Sequence, residues 1–123
     1  MIIDDKEDIR ELVKEGLEQA GHRYSVISVC SGQECLDLLS DGVLPDIILL
    51  DIMMPEMSGW NVFADIKENP KWKHIPIVFL TAKSDPYSKG LGQMGAEDYI
   101  EKPFSVQDLQ DRIDRVLKKG SKK

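Results

Sequence analysis

The sequence predicts an α/β fold in which helices cover both faces of a parallel sheet, and two observations lead to this prediction. Short apolar runs of strand length alternate five times with segments of helical periodicity along the 123 residues. The runs "DIILLD" at 46–51 and "IPIVFLT" at 75–81 are apolar at consecutive positions rather than at alternate ones. Strands of this kind are typical of a parallel sheet that is buried on both sides.

The first half of the chain predicts two strand–helix pairs. "MII" at 1–3 is a short strand, and apolar residues at helical spacing follow it until Gly21 ends the first helix. "YSVISV" at 24–29 alternates apolar and polar residues, which predicts the second strand. Ser31 and Glu34 have the spacing of a capping box and predict the start of the second helix.

The second half predicts three further pairs. The strands are short runs rich in apolar residues and occupy 46–51, 75–81 and 98–102. The helices that follow them occupy 60–69, a segment that begins at 84–86, and 105–119. Asp85 is the expected cap of the fourth helix, and Pro86 lies in its first turn, where the missing N–H costs nothing. Three glycines make this helix the weakest of the five.

The order of the strands follows from the connections between them. Right-handed crossovers leave few ways to arrange five parallel strands. We expect a doubly wound (βα)5 sheet of flavodoxin-like order 2-1-3-4-5 within a three-layer sandwich. Residues 1–119 should form this single domain, and the basic residues 120–123 should fray.

Composition and charge exclude several classes of function. The net charge of −6 argues against direct nucleic-acid binding, which usually requires a basic surplus. No apolar run approaches the roughly 20 residues of a membrane helix, and no signal peptide opens the chain. We therefore expect a cytoplasmic protein without membrane insertion. The two cysteines, Cys30 and Cys35, have neither the spacing of a redox pair nor that of a zinc half-site.

Polar side chains stand at the ends of four predicted strands. Asp4 and Asp5 follow the first strand, Asp51 ends the third, Thr81 the fourth and Lys102 the fifth. Taken alone, an aspartate or a threonine at such a position would suit a helix cap. Because the carboxyl ends of parallel strands meet at one edge of the sheet, where such folds bind ligands, we expect these five residues to share one cleft.

The chemistry of this cleft favours a divalent cation and a phosphoryl group. Three carboxylates in one place repel each other, and a cation together with the Lys102 ammonium would compensate them. Ligation by oxygen alone indicates Mg²⁺, or else Mn²⁺, rather than zinc. Asp51 can act as a nucleophile, because carboxylates form aspartyl phosphates.

Four segments together resemble the receiver domain of two-component response regulators, of the chemotaxis-regulator-like kind. They are "IIDDKE", "LLDIMMPEMSGW", "IVFLTA" and "DYIEKPF", and the match spans nearly the whole chain. The resemblance implies a phosphorelay protein that receives its phosphoryl group from a sensor histidine kinase or a phosphotransfer protein. It implies a signalling domain rather than an enzyme that turns over outside substrates.

The same resemblance implies a phosphoacceptor and a set of metal ligands. Asp51 would be the phosphoacceptor. Asp5 and Asp51 would ligate Mg²⁺ directly, together with the main-chain carbonyl of Met53. Asp4 would act on the metal through a water molecule.

The resemblance also implies an environment for the phosphoryl group. Thr81 and Lys102 would bind its oxygens, and the peptide bond after Lys102 is cis in this family, as proline permits. The other residues around it would be Ala82, Met53, Lys83 and Pro103. Small Ala82 leaves room beside the phosphoryl group, while bulky Met53 obstructs an attacking water molecule. We therefore expect slow self-dephosphorylation.

Thr81 and Tyr99 match the switch residues of the family. In receivers the phosphoryl group draws the threonine inward and the aromatic ring follows, which is a local charge event acting on a two-state element. The surface that would change is formed by the fourth predicted helix, the fifth strand and the last helix. A downstream protein target would bind there.

Three other functions share part of this pattern. A phosphatase of haloacid-dehalogenase type also forms an aspartyl phosphate with Mg²⁺. It needs a second aspartate, as general acid and base, two residues after the nucleophile, and this chain has Met53 there. A flavodoxin would need a phosphate-cradling loop after the first strand, and the acidic edge would repel the phosphate of FMN. The third is a receiver-like scaffold that is never phosphorylated, and the full acidic set together with Lys102 argues against it.

Overall fold

The structure is a computed structural model that describes residues 1–19, 24–82 and 95–121, and nine strands and helices lie in these residues. The strands are β1 (Ile2–Ile3), β2 (Ser28–Val29), β3 (Ile48–Asp51), β4 (Ile77–Ala82) and β5 (Asp98–Lys102). The helices are α1 (Glu7–Glu18), α2 (Gly32–Ser40), α3 (Gly59–Glu68) and α4 (Val106–Ser121). The fourth helix of the sequence prediction falls mainly on residues 83–94, outside the described residues, and α4 is the last helix of that prediction.

The five described strands form one parallel sheet in the order β2-β1-β3-β4-β5. This confirms the predicted strand order. β3 lies at the centre, where Ile48–Asp51 pair with Ile77–Leu80 of β4 on one side, while β1 pairs on the other. All four residues of β3 are buried, as the unbroken apolar run predicted.

Two apolar clusters on opposite faces of the sheet make the three layers. Alternate residues of a strand point to opposite faces, so Leu50 packs with α2 and α3, whereas Leu49 packs with α1 and α4. The helix residues of the first cluster include Cys35, Leu39, Val62, Phe63 and Ile66. Those of the second include Val13, Leu17, Leu109, Ile113 and Val116. The doubly wound α/β sandwich is therefore the observed architecture.

The second strand is shorter than predicted. Only Ser28–Val29 of the expected 24–29 belong to β2. The reason is visible at Val26, whose N–H donates to the Glu18 carboxylate at 2.9 Å and whose carbonyl accepts from Lys14 at 3.0 Å. Side chains of α1 therefore satisfy backbone groups that a longer strand would direct to a neighbour.

The start of α2 follows the predicted cap. The Ser31 hydroxyl accepts the N–H of Glu34 at 3.1 Å, which confirms the N-terminus of α2. α4 continues to Ser121, two residues into the segment 120–123 that was predicted to fray, so the end of the domain stays a prediction. None of the helices in the described residues has the length and apolar character needed to cross a membrane.

Candidate functional site

Three carboxylates meet at the carboxyl edge of the sheet. Asp4 and Asp5 follow β1, and Asp51 is the last residue of the neighbouring strand β3. One oxygen from each carboxylate lies within 4.8 Å of the others. Asp4 and Asp51 are buried, whereas Asp5 is exposed, so the cluster faces solvent on the side of Asp5. The structure thus brings together the three acids that the strand ends suggested.

The Lys102 ammonium lies between two of these acids. Its Nζ is 2.9 Å from Oδ2 of Asp4 and 3.3 Å from Oδ1 of Asp51. Burial acts to lower the pKa of Lys102, but the hydrogen bond to Asp4 and the charges of both aspartates outweigh it and raise this pKa. The ammonium therefore stays charged. The Lys102–Pro103 peptide bond is cis, as predicted.

The charge of Asp51 is only partly compensated by its neighbours. Burial, followed by the negative charge of Asp4, raises its pKa to about 6, although Lys102 and the N–H of Met53 act in the opposite direction. Its Oδ1 accepts from the ammonium and, at 3.4 Å, from that N–H. Its Oδ2 is buried without a hydrogen-bond partner in the described residues. A buried acceptor left unpaired costs about 1–3 kcal/mol, which a ligand of this oxygen would relieve.

Thr81 and Ala82 border the acids at the end of β4. Thr81 is 2% exposed and follows Leu80, which is the register partner of Asp51. Ala82 is exposed and is the register partner of Lys102. The small side chain of Ala82 therefore lies on the strand position beside Lys102, at the carboxyl edge of the sheet.

Tyr99 lies near the start of β5, further from the site than Lys102, which ends the strand. Its register partner is Phe79, two residues before Thr81, so Tyr99 and Thr81 point to the same face of the sheet. Tyr99 is 41% exposed. The shared face that a coupled movement requires is thus present.

Met53 extends into solvent beside the acids. Its side chain is 69% exposed, while its N–H points to Asp51. The ligand role of its carbonyl stays a prediction. Lys83, the second residue that was expected to affect the lifetime of the phosphoryl group, lies outside the described residues.

Sequence reasoning missed two residues that lie against the backbone of the acids. The Arg10 guanidinium donates to the carbonyl oxygen of Asp4 at 2.7 Å. Gly59, the first residue of α3, approaches β3 so closely that a Cβ there would lie 2.3 Å from the Asp51 carbonyl oxygen. The signals in the sequence were weak: an arginine at the end of the first turn of α1, and a glycine directly after the cap Ser58.

Known proteins share this sequence pattern. The family model of the response regulator receiver domain matches residues 1–114. The chain is 42% identical over 114 residues to the probable cyclic di-GMP phosphodiesterase of Vibrio cholerae serotype O1. This match covers 92% of this chain and 25% of that protein. The chain is also 37% identical over 123 residues to the response regulator SaeR of Staphylococcus aureus. This second match covers 99% of this chain and 51% of that protein. The chain thus spans 25% to 51% of the length of these relatives, and the phosphodiesterase name describes a much larger protein.

A solved structure agrees with the sequence matches. The CheY-like response regulator receiver domain protein from Methanospirillum hungatei JF-1 is 39% identical, with a TM-score of 0.85 over 100% of this chain and 96% of that one. Fold, site and sequence lead to the same assignment. The chain belongs to the response regulator receiver domain family of two-component signal transduction, whose members are signalling domains that contain an acidic Mg²⁺ pocket.

Proposed function

We propose that Asp51 accepts a phosphoryl group from a phosphohistidine of a sensor histidine kinase or phosphotransfer protein, in a reaction that depends on Mg²⁺. The observation that carries this proposal is the state of the Asp51 carboxylate. One oxygen is bound by the Lys102 ammonium, while the other has no hydrogen-bond partner in the described residues. A carboxylate oxygen that has no hydrogen-bond partner and lies beside an ammonium group is suited to nucleophilic attack on phosphorus.

The acidic cluster fits the metal that this reaction needs. Its side-chain donors are all oxygens, and they converge at one end of the sheet. Asp5 and Asp51 would hold Mg²⁺ directly with the Met53 carbonyl, Asp4 would act through water, and Mn²⁺ would substitute. When bound, the cation neutralises negative charge on the phosphoryl oxygens. The negative charge of Asp4, which after burial is the second cause that raises the pKa of Asp51, supports a cation site here.

The chain's own residues account for the rest of the transfer. An oxygen of Asp51 forms the new bond to phosphorus, the P–N bond to the donor imidazole breaks, and the imidazole nitrogen keeps the electron pair and takes a proton from solvent. The Lys102 ammonium, already at the site, binds one phosphoryl oxygen. The hydroxyl of Thr81 donates to another, and exposed Ala82 leaves the donor a path.

We further propose that phosphorylation acts on a downstream protein through β5 and the helices beside it. Thr81 moves toward the phosphoryl group, and Tyr99, on the same face of the sheet, follows it inward. The exposed fraction of Tyr99, 41%, gives the ring room to become more buried. The surface of β5, α4 and the predicted fourth helix changes as a result. We place this event in the cytoplasm, where the kinase partner has its phosphohistidine.

The test is phosphorylation by a small donor. The chain is incubated with acetyl phosphate and Mg²⁺, and its intact mass is measured. We expect the gain of one phosphoryl group, its loss in Asp51→Asn, and no gain when a chelator removes the metal. Asp46→Asn is the matched control, because Asp46 is an exposed aspartate just before the opposite end of β3. This variant should be phosphorylated as the parent chain is.

Other outcomes would favour the other functions. If Mg²⁺ binds but no phosphoryl group is gained, the proposal is wrong and an unphosphorylated scaffold is favoured. Steady turnover of a simple phosphate ester would favour the phosphatase. The expected slow self-dephosphorylation is read in the same assay after the donor is removed, and a lifetime of only seconds would contradict the role given to Met53.

A further inference from the structure

Arg10 makes a contact that ties α1 to the acidic cluster. Its side chain is half-buried, and one guanidinium nitrogen donates to the carbonyl oxygen of Asp4 at 2.7 Å. Asp4 is fully buried and lies between the end of β1 and the start of α1. A buried carbonyl needs a hydrogen-bond donor. Arg10 supplies a charged one, which makes a stronger bond than a neutral donor.

The side chain of Asp4 is held independently of Arg10. Its Oδ1 accepts the N–H of Lys6 at 3.0 Å, and its Oδ2 accepts from the Lys102 ammonium at 2.9 Å. Its own N–H donates to the carbonyl of Val29 at 3.1 Å. Loss of Arg10 would therefore leave the Asp4 carboxylate in place and release only its carbonyl.

The next residue, Asp5, depends on that carbonyl. The C=O of Asp4 and the N–H of Asp5 belong to one planar peptide unit, so a bond that fixes the carbonyl also fixes the plane from which Asp5 continues. Asp5 is exposed, yet its carboxylate oxygen lies within 4.8 Å of the other two acids. We propose that Arg10 is a positioning residue that holds Asp5 toward the metal site. The inference rests on the Mg²⁺ site of the proposed function.

The charge of Arg10 acts against this role, which makes the proposal easy to test. A permanent cation near the cluster repels Mg²⁺, so a purely electrostatic role predicts tighter binding when the charge is removed. A positioning role predicts weaker binding. Loss of a group that orients metal ligands typically lowers metal affinity about 10–100-fold. The direction of the change therefore separates the two roles.

The experiment is calorimetric titration with MgCl₂ alone, at constant ionic strength, of the parent chain, Arg10→Ala, Arg10→Lys and Lys14→Ala. We expect Arg10→Ala to bind about 10–100-fold more weakly. Arg10→Lys keeps the charge and one donor, so it should retain most of the affinity. Lys14, one turn further along α1, contacts Glu18 and Val26 away from the acids, so Lys14→Ala should bind Mg²⁺ as the parent does.

Two further measurements exclude a general structural effect. Urea unfolding in a chelator should show that Arg10→Ala is folded. Its rate of phosphorylation by acetyl phosphate should return to the parent rate at saturating Mg²⁺, because only the metal affinity is changed.

Equal or tighter Mg²⁺ binding by Arg10→Ala would overturn the inference, as would an equal loss in Arg10→Lys. If the parent chain itself binds no Mg²⁺, both the Mg²⁺ site of the proposed function and the role of Arg10 are wrong. If the parent binds and is phosphorylated while Arg10→Ala binds equally well, only the role of Arg10 is wrong.

Discussion

β3 and β5 each bring one charged residue to the site, yet they are held in different ways. All four residues of β3 are buried, and the strand has neighbours on both sides. β5 lies at the edge of the described sheet, and two of its five residues, Tyr99 and Glu101, are exposed. The acceptor Asp51 thus stands on the most constrained strand, whereas Lys102 and Tyr99 stand on one that can move at lower cost.

Side-chain contacts from α4 hold β5 where apolar packing does not. One guanidinium nitrogen of Arg112 lies 3.1 and 3.2 Å from the two oxygens of Asp98, and 3.2 Å from the carbonyl of Tyr99. Its Nε lies 3.4 Å from Asp108 of the same helix. The side chain of Arg112 is 34% exposed, so water weakens these ion pairs. The difference between β3 and β5 shows that one sheet can contain both a rigid strand for the phosphoacceptor and an edge strand that moves more easily.

The largest effect is expected from Leu50→Ala in β3. Leu50 is fully buried next to Asp51, and removing a buried leucine side chain costs about 2–5 kcal/mol in free energy of unfolding. Urea unfolding followed by circular dichroism measures this loss. Leu44→Ala is the matched control, because Leu44 is 58% exposed and its loss should cost less than about 0.5 kcal/mol. Similar losses in the two variants would contradict the view that β3 is the rigid element.

The sequence could predict those features of the fold that depend on local rules, and β3 is the clearest example. The apolar run before Asp51 has one interpretation, a strand covered on both faces, and it led directly to the parallel sheet and its edge of charges. The cap at Ser31 was predictable because capping acts within one turn of the chain. Local rules were therefore enough to predict the central strand, the start of α2 and the acids at the strand ends.

Contacts between distant segments were beyond those rules. β2 is short because Lys14 and Glu18 bind the backbone of Val26, and nothing in the alternation of "YSVISV" reveals side chains from another element. The bond from Arg10 to Asp4 depends on how α1 lies on the sheet. These distances appear only when the elements are packed together.

An intermediate effect is expected from Gly59→Ala at the junction of β3 and α3. The new Cβ would lie 2.3 Å from the Asp51 carbonyl oxygen and 2.8 Å from the Cα of Ile52, so the backbone must shift. Overpacking of this kind costs about 1–3 kcal/mol. We also expect weaker Mg²⁺ binding by calorimetry, because the shift displaces Asp51. Asn61→Ala, at an exposed position in the first turn of α3, is the control and should leave Mg²⁺ affinity unchanged. Parent-like stability in Gly59→Ala would show that β3 yields more easily than its burial implies.

The smallest change in stability, and the sharpest test of the comparison, is expected from Arg112→Ala. Partly exposed ion pairs contribute about 0–1 kcal/mol, so urea unfolding should change little. Local opening should change more, because Tyr99 loses the donor to its carbonyl and Asp98 loses its cation. Hydrogen exchange should therefore become faster at the amides of β5 and stay unchanged at those of β3. Arg115→Ala, an exposed arginine on the same helix, should leave both strands as they are. If exchange rises equally in β3 and β5, the two strands open as one unit, and the separation between a fixed acceptor strand and a movable edge strand is wrong.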